Sequence, residues 1–142
     1  MSNYDSLATV GAVRADEQFL TWRRLMGQCQ EAKQKLATLS QFAERYRGQM
    51  RDRLAAGMDA SASMTFIAFI GQIEGVVRKQ AAEVTRLEAA CAEQWQHLVA
   101  ARRDKRMYEI LRDKANATEL AADLKRSQAE LDELLGRIVK LL

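Results

Sequence analysis

Few side chains in this sequence could do chemistry, and they are scattered. His97 is the single histidine, and no Cys, Asp or Glu stands at a spacing that would share a metal ion with it. Cys29 and Cys91 are the two cysteines; they lack metal-site spacing and read as reduced thiols in the cytosol. Neighbouring carboxylates such as Asp132 and Glu133 point to different sides of a helix and do not converge on one atom. There is no glycine-rich phosphate loop and no nucleophile elbow. These absences lead to an expectation of no catalytic residue, no cofactor and no metal site. One concentration of charge remains: Arg102, Arg103, Lys105 and Arg106. It reads first as a solvated helix flank, second as a dock for an acidic protein surface, and last as a phosphate contact. No aromatic stacking platform accompanies it, so a nucleic-acid partner is not expected.

The elements that carry these residues are long helices. The chain has 142 residues, no proline and seven glycines; 29% of it is charged and 6% aromatic. Ala, Leu, Glu, Gln, Arg and Lys are helix formers, and strand formers are few. The net charge of +3 argues for solubility more than for a polyanionic partner. The first residues, MSNYDSLATV, have neither the basic nor the apolar region of a secretory signal. The most apolar run, Met64 to Val77, contains Gln72 and Glu74 and is shorter than the roughly 20 apolar residues of a membrane span. A cytoplasmic protein is expected.

Heptad spacing gives the fold. Leu25, Cys29, Ala32, Leu36, Leu39, Ala43, Tyr46 and Met50 alternate steps of four and three, and the pattern runs back through Trp22, Gln18 and Ala15. Ile70, Ile73, Val77, Gln80, Val84, Leu87, Cys91, Gln94, Leu98 and Ala101 form a second such series. A repeat of 3.5 residues flanked by charge is a coiled-coil seam. Between the two series lies AAGMDASAS, where Gly57 can end a helix and Asp59, Ser61 or Ser63 can cap the next. The fold class expected is all-α: a long antiparallel two-helix coiled-coil hairpin in one domain. Helix one spans about 14–56, the turn 57–62 and helix two about 63–140. The arms run side by side for about 60 Å at 1.5 Å per residue. If the turn centres near Asp59, level positions add up to roughly 119. Cys29 then faces the region of Cys91, a pair read as one packed layer rather than a redox clip. Asn3 lies level with Asn116, where the first arm runs out.

Beyond that point the chain keeps an apolar series: Ala117, Leu120, Leu124, Ser127, Leu131, Leu134, Ile138 and Leu141. A lone amphipathic helix is marginal in water. The tail therefore folds back, enters another protein or self-associates; good helix formers at Lys114–Ala115 favour a continuous, overhanging helix. Near the turn, Phe42, Phe69 and Ile67 stand beside the seam and widen the apolar stripe. An exposed aromatic patch on a thin rod marks a partner site.

Four segments, LSQFAERYR (39–47), MTFIAFIGQIE (64–74), RRDKRMYEILRDK (102–114) and LKRSQAELDEL (124–134), resemble the FliJ family of the bacterial flagellar type III export apparatus. The resemblance covers most of residues 15–136. It implies a non-enzymatic, stalk-like coiled coil that links the export ATPase hexamer to the cytoplasmic domain of the membrane export gate and assists export chaperones. It carries the gate contact to Phe42, Tyr46, Phe69 and Ile73. It assigns the ATPase-inserted end to the tail, with Leu120, Leu124, Leu131 and Leu134. Membrane association is then peripheral, at the inner face and through protein contacts. The alternatives are the equivalent stalk of a virulence injectisome and a generic structural coiled-coil adaptor.

Overall fold

The structure, a computed structural model, describes residues 3–142. It is all-α, with two helices, α1 (Asn3–Ala55) and α2 (Ala60–Leu141), packed as a hairpin. Every seam position named above between Ala15 and Ala101 is buried or half-buried.

α1 starts at Asn3, well before the expected residue 14. The reason is chemical. Ala8, Gly11 and Ala15 continue the three-four spacing and are buried, but Ala and Gly are too small to announce a seam by their hydropathy.

The turn is also shorter than expected. Gly57 takes φ +94°, the left-handed conformation that glycine adopts without a Cβ penalty. The N–H of Met58 donates to the carbonyl of Arg53 and the N–H of Gly57 to that of Leu54, each at 3.2 Å. These two bonds make a Schellman motif, which satisfies the last carbonyls of α1. Asp59 then caps α2: its Oδ1 accepts from the N–H of Ala62 at 2.7 Å. Because Asp59 rather than Ser61 or Ser63 is the cap, α2 begins at Ala60.

By compactness the chain divides into two units. Phe19–His97 form one, and the described residues up to Gln18 with Leu98–Leu142 form the other. In the first, Cys29, Ala32, Val84, Leu87 and Cys91 make a continuous core, flanked by Leu25 and Leu36. Trp22 and Trp95 pack with their rings tilted by 54° and their centres 5.3 Å apart. The polar seam residue Gln80 is satisfied, its Nε2 donating to the Ala32 carbonyl at 3.0 Å. A seam amide that finds a partner in one alignment only helps fix register.

Cys29 and Cys91 are buried free thiols in that core. Burial pushes the Cys91 thiol above its ordinary range, and the neighbouring Cys29 adds to the rise. The neutral thiol is the form the fold favours, so this contribution is present below the ordinary thiol pKa and fades as pH climbs through the raised value. Since both thiols are buried, a disulfide-exchange reagent should modify both cysteines much more slowly in the native protein than in denaturant. Equal rates would place them at the surface.

In the second unit, Ala8 and Ala15 are buried and Leu98 is 0% exposed. Gly11 permits a close approach of the helices. A Cβ built there would lie 2.8 Å from Tyr108 Cδ2 and 3.3 Å from the Lys105 Cα. Burial then ends: Ala115 is half-covered, and every residue from 116 to 142 is exposed. This is the overhang that the level pair Asn3–Asn116 requires.

Over its most apolar 18 residues α2 has a mean hydropathy of 1.4, so by length and composition it is long and apolar enough to cross a membrane. The run Met64–Val77 alone does not reveal this, because Ala60 and Ala62 extend the apolar stretch. Within the stretch, Ile70 and Ile73 are buried in the seam, and Glu74 is paired with Arg47 at 2.9 Å.

Candidate partner-binding surfaces

Just before and after the turn, the two helices bring together an aromatic group. Tyr46 is its hub, with ring centres of Phe42 at 4.6 Å, Phe69 at 5.1 Å and Phe66 at 6.3 Å. The Arg53 guanidinium sits 5.5 Å from the Phe66 ring centre, a cation–π distance. Phe42 is 39% exposed and Phe69 41%, whereas Ile73 is only 8% exposed. Of the four residues assigned to this surface by sequence, Phe42, Tyr46 and Phe69 form one solvent-facing group. Ile73 is a buried seam residue, as its spacing from Ile70 and Val77 dictates.

Phe66 and Arg53 join this group without a warning in the spacing. Phe66 lies four residues before Ile70, which reads as seam alone; it is half-buried and serves both. Arg47 is a further unexpected member of the region. It donates from Nε to Glu74 across the hairpin at 2.9 Å and from NH1 to Glu44 at 2.8 Å. The bond to Glu74, then that to Glu44, holds the Arg47 guanidinium above its ordinary pKa. The level rule carries the signal for this pair, since positions 47 and 74 add up close to 119.

The tail leucines behave as one stripe. Leu120, Leu124, Leu131 and Leu134 are between 49% and 63% exposed, Ile138 continues the stripe, and Leu135 and Val139 widen it. The stripe does not continue the hairpin seam. Tyr108 packs on Gly11, and Ala117 lies nine residues further, about half a turn round the helix at 100° per residue. The stripe therefore faces a different side of α2 than α1 does.

In the basic run, Arg102, Arg103 and Arg106 are exposed on one side of α2. Arg103 pairs with Asp104 at 4.0 Å and Arg106 with Glu109 at 3.7 Å. Lys105 is half-buried, with its backbone against Gly11. Arg102 is exposed. His97 is exposed and lies 3.9 Å from Glu93; contrary to the reading by spacing, a carboxylate four residues earlier does stand beside it on the same helix face. Among the described residues no group of three or more His, Cys, Asp or Glu could hold a metal ion. Trp22, Met26, Cys91 and Trp95 line an open groove on the surface.

No curated protein and no solved structure matches the chain. A family model described as "Flagellar FliJ protein" matches residues 3–140. With that match across nearly all of a two-helix hairpin, the chain belongs to the flagellar FliJ family, a structural component of the flagellar protein-export apparatus and not a known enzyme.

Proposed function

We propose that the protein is a coupling stalk with two separate grips. The aromatic group of Phe42, Tyr46 and Phe69 contacts the cytoplasmic domain of the export gate. The tail stripe of Leu120, Leu124, Leu131 and Leu134 enters the export ATPase ring. The observation that carries the reading is that the hairpin leaves two apolar surfaces exposed: the aromatic group that α1 and α2 build beside the turn, and the leucine stripe on the tail of α2. Exposed aromatics gathered in one place are the usual anchors of a protein interface. The protein supplies no reacting group in this scheme; its contribution is a stiff connection between partners. Handling of export chaperones and peripheral placement at the inner face of the membrane follow from the same reading.

The gate contact is tested with the purified gate domain and the double variant Phe42→Ala/Phe69→Ala. Both rings are substantially exposed, so helicity should stay close to that of the parent protein. Removing two aromatic anchors should weaken binding by about thirtyfold or more, given roughly 2 kcal/mol for a hot-spot ring. Unchanged affinity with unchanged helicity would remove this surface from the interface. A loss of helicity would make both rings part of the core.

A further inference from the structure

The tail stripe is complementary to itself. In an antiparallel pair of helices, each first-position seam residue faces a second-position residue of the other chain. Aligned on residue 129, the tail of a second copy sets Leu124 against Leu134, Leu120 against Ile138, Ala117 against Leu141 and Leu131 against Ser127. Every seam residue from Ala117 to Leu141 is then covered, and each of them is exposed in the single chain. A shift of one heptad either way loses layers between the tails.

The flanking charges favour the same alignment at its ends. Asp123 lies opposite Arg137 of the second copy, and by symmetry this occurs twice. Within one chain these residues hold only exposed local pairs, Asp123 with Arg126 and Arg137 with Glu133, which are worth little and exchange readily. At the symmetry axis Gln128 faces Gln128 and Glu130 faces Glu130, the one like-charge meeting. In-register parallel pairing offers no opposite charges across the seam: Asp123 would meet Gln128, and Glu130 would meet Leu135. The stripe also lies about half a turn from the side where Tyr108 meets Gly11, so a second tail does not displace α1.

We infer that the tail forms an antiparallel homodimer of this chain through Ala117–Leu141, and that the dimer hides the face offered to the ATPase. Its regulatory sense rests on the function proposed above; the dimer itself does not. The free protein is then held in a paired store, and engagement of the ring requires the pair to part.

The test is sedimentation equilibrium of the full chain at micromolar concentration, with pyrene placed on single cysteines in a Cys29→Ala/Cys91→Ala background. A monomer–dimer equilibrium is expected. Leu131→Glu should weaken it at least tenfold without loss of helicity, and Glu130→Gln should strengthen it severalfold by removing the charge at the axis. Pyrene on Gln128→Cys should show excimer emission, and pyrene on Ala117→Cys should show none. A protein that stays monomeric overturns the inference and leaves ATPase capture, measured separately, untouched. An excimer from position 117 also overturns it, because it reports parallel pairing. Failure of the ATPase to capture the protein at concentrations where it is monomeric would overturn the ring reading alone.

Discussion

Leu98→Ala is expected to lower the unfolding free energy by about 2–5 kcal/mol, the usual cost of emptying a fully enclosed leucine site. Leu98 has 0% exposure and is the one large side chain sealed to that degree among the described residues. A two-helix fold has no second layer to collapse into the void, which places the expected cost toward the upper part of that range. Single domains are stable by only about 5–15 kcal/mol, so a large share of the total is at stake and the melting temperature should fall by many degrees. Leu98→Met, which keeps the volume, should cost less than about 1.5 kcal/mol. A thermal melt followed by helicity decides the matter; an alanine variant melting with the parent protein would mean the helices close over the site.

Ending the chain after Lys114 is the second large change. The truncated protein should keep its hairpin, because nothing from 116 onward is buried and the removed segment contributes no core. Its melting temperature should stay close to that of the full chain. Binding to the export ATPase should fall on the order of a hundredfold or more, since the whole stripe of leucine anchors is gone. Binding to the gate domain should be unaffected, since Phe42, Tyr46 and Phe69 are all retained. A truncated protein that still captures the ATPase would move that contact to the hairpin.

Much of the hairpin is legible in the sequence, and the parts that are not share a cause. Leu25 to Met50 and Ile70 to Ala101 announce themselves because Leu, Ile and Val recur at three-four spacing. Ala8 and Gly11 serve the same seam, but their small size leaves no such signal, so the first turns of α1 escape a reading by hydropathy. The start of α2 turns on which of three side chains caps it; Asp59 is one of the candidates, and its hydrogen bond to the Ala62 N–H makes the turn shorter. Phe42 and Phe69 stand out because they are one residue off a seam position. Ile73 is assigned to the same surface by resemblance but is buried, because a residue at seam spacing cannot also face solvent fully. The rotation of the tail stripe can be found by counting from Tyr108 to Ala117; counting each heptad series separately hides it.

If one chain grips two partners through two distinct surfaces, both partners can be held at once. The direct measurement is to mix the purified export ATPase with the gate cytoplasmic domain, with and without this protein, and to follow the complex by analytical ultracentrifugation. A three-component complex should form only with the full chain. The gate domain alone should be lost with Phe42→Ala/Phe69→Ala, and the ATPase alone with the chain ended at Lys114. Competition between the two partners for the protein, so that no three-component complex forms at any concentration, would refute the two-grip stalk.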